Sequence, residues 1–278
     1  RASDWSSDVC SSDLCADPKL VDAASRLLVN APPGEFDDCV AALSQFASDQ
    51  EVVKEATNKS IRTWMMNSCA PVTVGDHQAM ICEEALQSNG LYVDPNTMNL
   101  FNYNFEEKQV EETGEKLQST SFRDACQNTL GVFSKNTLKN GTCGVYDIED
   151  GVAIVLSGSS IVRENYRTGN VVMRFTIKNG HLAGKITAAA HFYENGNCTL
   201  ENSADFEGNV KGEDDDKQAA NAVKLLSEFY KQWTEKLTYG FDLLKNEGLN
   251  KLRRRLPVTK SKINWRAEIV GSASMQNK

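Results

Sequence analysis

The densest positive charge in this sequence lies at residues 252–265, LRRRLPVTKSKINW. Arg253, Arg254 and Arg255 run together, Pro257 interrupts the pattern, Lys260 and Lys262 follow, and Ile263 and Trp265 close it. Clustered guanidinium and ammonium groups recognise acidic partners by charge-assisted hydrogen bonds and long-range steering. Residues 250–278 hold eight Lys/Arg and one acid, a local charge of +7, while the rest of the chain sets 22 bases against 37 acids, or -15. A basic tail on an acidic body points to nucleic acid, anionic lipid or an acidic protein, and composition alone leaves all three open. Ile263, Ala267 and Val270 recur at helical spacing, with Trp265, Ile269 and Ala273 on an adjoining stripe. So short an amphipathic helix is not stable alone in water and should order against a partner or its own body. An exposed ion pair contributes only about 0–1 kcal/mol. Burying a large apolar side chain contributes roughly 1.5–3 kcal/mol. Ile263, Trp265, Ile269 and Val270 are therefore expected to hold a complex together. The bases are expected to speed encounter and set orientation, with strong salt dependence.

Other residue patterns fall short of a chemical site. GHLAGK (180–185) is one residue short of a phosphate loop, Ile186 stands where Ser/Thr should hold magnesium, and strand-like segments flank it. LSGSSI lacks the second glycine of a nucleophile elbow. His77, His181 and His191 have no metal-ligand spacing. DPNTMN (94–99) offers oxygen ligands at two positions of a calcium loop, but Met98 replaces the third and Asn99 the turn glycine, so it reads as a turn between strands. The carboxylates of EDDDK fit a solvated helix start better than a cation site. No metal, no cofactor and no catalytic constellation is expected, and the chain reads as a non-enzyme. No RNA-binding signature or interleaved aromatics accompany the bases, so nucleic acid is not expected.

The elements that position the tail can be read from periodicity. Residues 19–29 form an amphipathic helix with Leu20, Ala23, Ala24, Leu27 and Leu28 on one face. NAPPGEF (30–36) is a hard stop, and helices restart at 35–47 (Phe36, Val40, Leu43, Phe46) and 50–66 (Val53, Ala56, Ile61, Trp64, Met65). PVTV, HQAMIC, LYV and MNLFNYNF read as short strands, EEKQVEETGEKLQ as a charged linker, and residues 120–138 as a helix. After KNG come five strand-like stretches, CGVYDI, GVAIVLSG, NVVMRFTIK, GKITAAAHFY and NCTLENSADF. Loops as short as NG (179–180) demand antiparallel pairing. GEDDDK then opens the longest helix, with an apolar stripe through Ala219, Val223, Leu226, Tyr230, Trp233, Leu237, Phe241, Leu244 and Leu252. Uninterrupted, that helix would run for about 57 Å at ~1.5 Å per residue. Gly240 and Gly248 are weak points, and Pro257 ends it.

The expected class is α+β: an N-terminal helical layer (15–69), a mainly antiparallel β-sheet region (70–212) crossed by a long C-terminal helix (213–254), and an amphipathic tail (255–278). A chain of 278 residues with 40% apolar and 24% charged residues is that of an ordinary globular protein. The eight cysteines, at 10, 15, 39, 69, 82, 126, 143 and 198, form no CxxC pair and read as free, mostly buried thiols in a reducing cytoplasm. Residues 1–14 carry neither helical nor strand period. Ser7–Leu14 back-translates to TCA-GAC-GTG-TGC-TCT-TCC-GAT-CT, a common sequencing-adapter string, so this segment is expected to be non-native.

Five motifs then converge. NAPPGEF, SFRDACQNTL, KNGTCGVY, AAHFYENGNCTL and above all LRRRLPVTKSKINW resemble the alpha subunits of the heterodimeric F-actin capping proteins, in order, from about residue 17 to the end. The resemblance implies a capping-protein-like fold, an obligate heterodimer with a beta subunit whose sheet continues this one, and a mobile C-terminal tentacle. It implies calcium-independent binding to the barbed, fast-growing end of actin filaments in the cytoplasm, where subunit addition and loss are blocked. The actin-binding residues it implies are Arg253, Arg254, Lys260, Lys262, Ile263, Trp265, Ile269 and Val270. Arg254 and Lys260 fall on basic positions that the resembled family uses to contact the filament end. Lys260 stands where relatives often have Arg, which keeps the charge and loses bidentate pairing. Asn250 stands where Lys is common, and Trp265 follows the family's Lys-Ile pattern with Asn264 between. Phosphoinositide regulation of the same tail is also expected, since polybasic segments favour anionic membranes. The alternative is a basic-tailed adaptor for anionic lipid or nucleic acid.

Overall fold

Asp17 starts the first helix: its carboxylate accepts a hydrogen bond from the Lys19 amide at 2.9 Å, and Pro18 takes the first turn, where no amide donor is needed. In the computed structural model, which describes residues 16–194 and 196–248, three helices come first: α1 (Pro18–Val29), α2 (Phe36–Phe46) and α3 (Gln50–Ser68). Asp49 caps α3 in the same way, accepting from the Glu51 amide. The expected period of α1 is present, but its buried face is Val21, Ala24, Ser25 and Leu28, and Leu20, Ala23 and Leu27 are exposed. Small side chains decide this. Ala24 and Ser25 let α1 approach α3 closely enough for the Ser25 hydroxyl to reach the Ala56 carbonyl. Phe46, assigned to the apolar face of α2, is likewise exposed.

Two small sheets follow. β1 (Ala70–Val74) pairs antiparallel with β2 (His77–Ile81), and β3 (Tyr92–Val93), β4 (Asn99–Asn104) and β5 (Gln109–Lys116) form a second, three-stranded sheet. The strand β5 corrects the expected charged linker. Nearly all its side chains are solvent-exposed, so it carries no apolar alternation, and its backbone pairing to β4 makes it a strand. Charged residues on an outer strand also discourage stray pairing.

α4 (Ser121–Thr137) leads into the main sheet, a meander of β6 (Thr142–Ile148), β7 (Gly151–Val162), β8 (Arg167–Lys178), β9 (His181–Phe192) and β10 (Cys198–Asn209), in the order β10-β9-β8-β7-β6. Every pairing is antiparallel, as the short loops demand. Between β8 and β9, Asn179 and Gly180 both have positive φ, 49° and 74°, the geometry of a two-residue turn that follows the strand twist.

The register divides the sheet into two faces. Tyr146, Val155 and Val172, on one face, join the core formed with α1, α3 and the small sheets. Ile154, Leu156, Met173, Phe175, Ile177, Leu182 and Ile186 are buried on the other. At the β6 edge, Gln127 of α4 donates to the Cys143 carbonyl and accepts from the Val145 amide. The buried Arg123 guanidinium donates to the carbonyls of Val145 and Pro95 and pairs with Asp124.

α5 (Asp215–Leu243) is 29 residues long, about 43 Å at 1.5 Å per residue. Asp214 accepts from the Lys217 amide at 2.8 Å at its start, and Ala219, Ala222 and Leu226 are fully buried. The α-helix stops earlier than its stripe suggests. Residues Leu244–Gly248 adopt π-helical bonding, ending at the glycine read as a weak point. The chain falls into two compact units, up to Ser227 and from Glu228 on. In the second, Tyr230 and Trp233 pack with ring centroids 5.7 Å apart.

Candidate interaction surfaces

Arg253, Arg254, Lys260, Lys262, Ile263, Trp265, Ile269 and Val270 all lie outside the described residues. The structure describes the element that leads to them. The last turns of α5 and the π segment expose Tyr239, Phe241, Leu243 and Leu244. Phe241 and Leu244 belong to the expected apolar stripe, and here they are exposed. Single exposed apolar residues are common, but four within six positions leave this end of the helix unusually apolar.

The NAPPGEF stretch is a fastening. Gly34 takes φ 76°, and a Cβ there would sit 2.4 Å from the Ile161 side chain. Trp64 donates its indole N–H to the Ala31 carbonyl at 2.9 Å and packs on Phe36 with ring centroids 5.1 Å apart. Glu35 reaches the main sheet: its carboxylate pairs with His191 Nδ1 at 2.9 and 3.0 Å and accepts from the Thr168 hydroxyl at 2.5 Å. The two side chains are only 12% and 11% exposed, so the pair ties helical layer to sheet where water competes poorly. Arg163 adds an ion pair to Asp38 at 2.9 Å. Sequence reading found the motif and missed the His191 link, because the two residues are 156 positions apart.

The other chemical candidates resolve into structure. His77 sits between two carboxylates, Nδ1 at 2.9 Å from Asp76 and Nε2 at 2.7 Å from Asp94. Burial alone would lower its pKa, but the hydrogen bonds to Asp76 and Asp94 outweigh it and hold the imidazole above its ordinary value. Asp94, the first residue of DPNTMN, is fully buried and accepts from the Asn96 amide and the Thr97 hydroxyl, closing the turn between β3 and β4. GHLAGK begins on a hairpin turn and continues as β9, with no helix to cradle a phosphate. Lys217 pairs with Glu213 at 2.8 Å and with Asp214, engaging the EDDDK carboxylates. Of the described cysteines, Cys69, Cys82, Cys126 and Cys143 are buried free thiols, whereas Cys198 is exposed. Burial pushes the Cys69, Cys126 and Cys143 thiols up to about 12, which keeps them protonated and unreactive.

The main sheet offers one surface that sequence reading did not single out. β6 is engaged by α4, but β10, at the opposite end, has β9 on one side and no described strand on the other. It is twelve residues long, and its side chains alternate between exposed and half-buried along almost its whole length. Such an edge is a template for another strand. Beside it, a cleft of about 530 Å³ runs from Thr199, Glu201 and Ser203 across Thr187 and Ala189 to Pro32 and Trp64. The visible signal was the NCTLENSADF alternation, which marks a strand without telling an edge from an interior position.

Comparison with known proteins places this architecture. The family model described as F-actin capping protein alpha subunit matches residues 24–277. The chain belongs to this family. Among capping protein alpha subunits, that of Yarrowia lipolytica is 26% identical over 245 residues, covering 88% of this chain and 90% of its own length. That of Debaryomyces hansenii is 27% identical over 263 residues, covering 91% and 96%. That of Dictyostelium discoideum is 24% identical over 269 residues, covering 91% and 95%. The homodimeric actin capping protein alpha subunit of Plasmodium berghei shares the fold at a TM-score of 0.67 and 18% identity, over 86% of this chain and 98% of that one. The capping protein family match begins inside α1 and runs through LRRRLPVTKSKINW, so it takes in both the α+β body and the basic tail.

Proposed function

We propose that this chain is the alpha subunit of a heterodimeric actin capping protein, which binds the barbed ends of actin filaments without calcium and blocks subunit addition and loss. The observation that carries this reading is the family match over 24–277, spanning body and tail together. In this reading residues 15–254 are the subunit body and 255–278 the actin-binding tentacle, and 1–14 are non-native. Arg253, Arg254, Lys260 and Lys262 steer the tail to acidic actin, and Ile263, Trp265, Ile269 and Val270 supply the apolar grip. The open β10 edge and the exposed apolar end of α5 support an obligate beta subunit as partner. The role is non-catalytic and belongs to the cytoplasmic actin cytoskeleton, with phosphoinositide headgroups competing for the same bases. No helix among the described residues is long and apolar enough to cross a membrane.

The test is pyrene-actin elongation from seeds with the co-expressed heterodimer, in calcium and in chelator. Inhibition at substoichiometric heterodimer in both conditions is expected. The double variant Arg254→Ala/Lys260→Ala should slow capping more at low salt than at high salt. A mutant effect that ignores salt would overturn the steering role, and calcium-dependent inhibition would overturn the calcium claim.

A further inference from the structure

We propose that the acidic side chains of β10 select the subunit that continues this sheet: they repel a second copy of this chain and fit an antiparallel edge strand bearing Lys or Arg on the same face. The inference rests on the reading that β10 meets a beta subunit, and it adds what decides between that subunit and self-pairing.

The register with β9 places Glu201, Asp205 and Glu207 on one face of β10, opposite Ala189, Lys185 and Ala183. All three acids are exposed, and β10 itself carries no Lys or Arg. From β9, Lys185 lies across from Asp205, and His181 Nε2 lies 3.9 Å from Glu207. Glu201 faces an alanine. The edge therefore presents a surplus of negative charge where a neighbouring strand must dock.

Two-fold pairing of β10 with its own copy keeps like faces together, so residues of the same parity must oppose each other. The two registers that preserve nearly the whole strand set Glu201 opposite either Asp205 or Glu207 of the second copy, and the symmetry repeats each clash. Sliding further one way sets Asp205 against itself. Sliding the other way sets Glu201 against Ser203, with Asp205 of the copy on the diagonal, and shortens the pairing. Like charges directly opposed across strands are destabilising, while opposite charges are favourable. The same three positions become attractive when the incoming strand carries bases across from them. On the other face, the half-buried Leu200 and Ala204 offer apolar contact that does not discriminate partners by charge. Glu201 also lines the cleft, so a partner seated at this edge continues onto that surface.

The experiment co-expresses two differently tagged copies of this chain with one beta subunit and counts alpha–alpha and alpha–beta dimers by native mass spectrometry. The unmodified chain should give mainly alpha–beta dimers, with a small alpha–alpha share. The variant Glu201→Gln/Asp205→Asn/Glu207→Gln should raise the alpha–alpha share about tenfold and make alpha–beta association less salt-sensitive. Glu207→Gln alone, at the strand end, should shift both readouts in the same direction and serves if the triple variant folds poorly. Hydrogen exchange over residues 198–209 in the alpha–beta dimer separates two failures. Protection of β10 with unchanged partner preference in every variant overturns the charge selection and leaves the interface reading standing. Absence of protection overturns both.

Discussion

Removing the Glu35 carboxylate leaves the His191 ring and the Thr168 hydroxyl without their acceptor in a nearly buried site. Glu35→Ala should therefore destabilise the body by about 1–3 kcal/mol, measured by denaturant unfolding, and Glu35→Gln by less. An unchanged unfolding midpoint for Glu35→Ala would mean that the link holds nothing. His77 gives a pH signature. Its folded pKa is raised, so the protonated form is favoured in the native state and its contribution is full below the unfolded value of about 6.5. That contribution is lost as pH rises through the raised folded value. The stability gap between the unmodified chain and His77→Gln should shrink from mildly acidic to alkaline pH. A gap that widens over that range would contradict the two-carboxylate clamp.

At the scale of elements, the turns were legible because their chemistry is local. Asn179-Gly180 announces a hairpin, and PPG in NAPPGEF announces a helix stop. Gly34 makes the second point testable. Gly34→Ala combines a left-handed backbone with a clash on Ile161, and should cost about 1–2 kcal/mol for the backbone alone. Adding Ile161→Ala should recover the steric part only, read from the midpoints of the single and double variants. Helix and strand periods were also legible, down to five strands in an antiparallel meander. Three features were not. β5 carries charge on both faces, so it gives no alternation to read. The buried face of α1 is set by the close approach of α3 at Ser25, which a period alone cannot specify. Which part of the α5 stripe is buried within the chain was the third, since Phe241 and Leu244 are exposed and exposure depends on neighbours. The tail residues were read from charge and resemblance, and they lie outside the described structure.

For the whole molecule, the uneven charge and the open edge describe one design. Among the described residues no strand flanks the outer side of β10, and the densest run of bases lies beyond α5. A chain built this way is expected to be completed by a partner at the edge and to act through its end. The most direct test is single-filament microscopy of growing actin filaments with the co-expressed heterodimer added. If this chain caps barbed ends, they stop growing and shrinking while pointed ends continue unchanged. Barbed ends that elongate at their normal rate in the presence of correctly assembled heterodimer would contradict that reading.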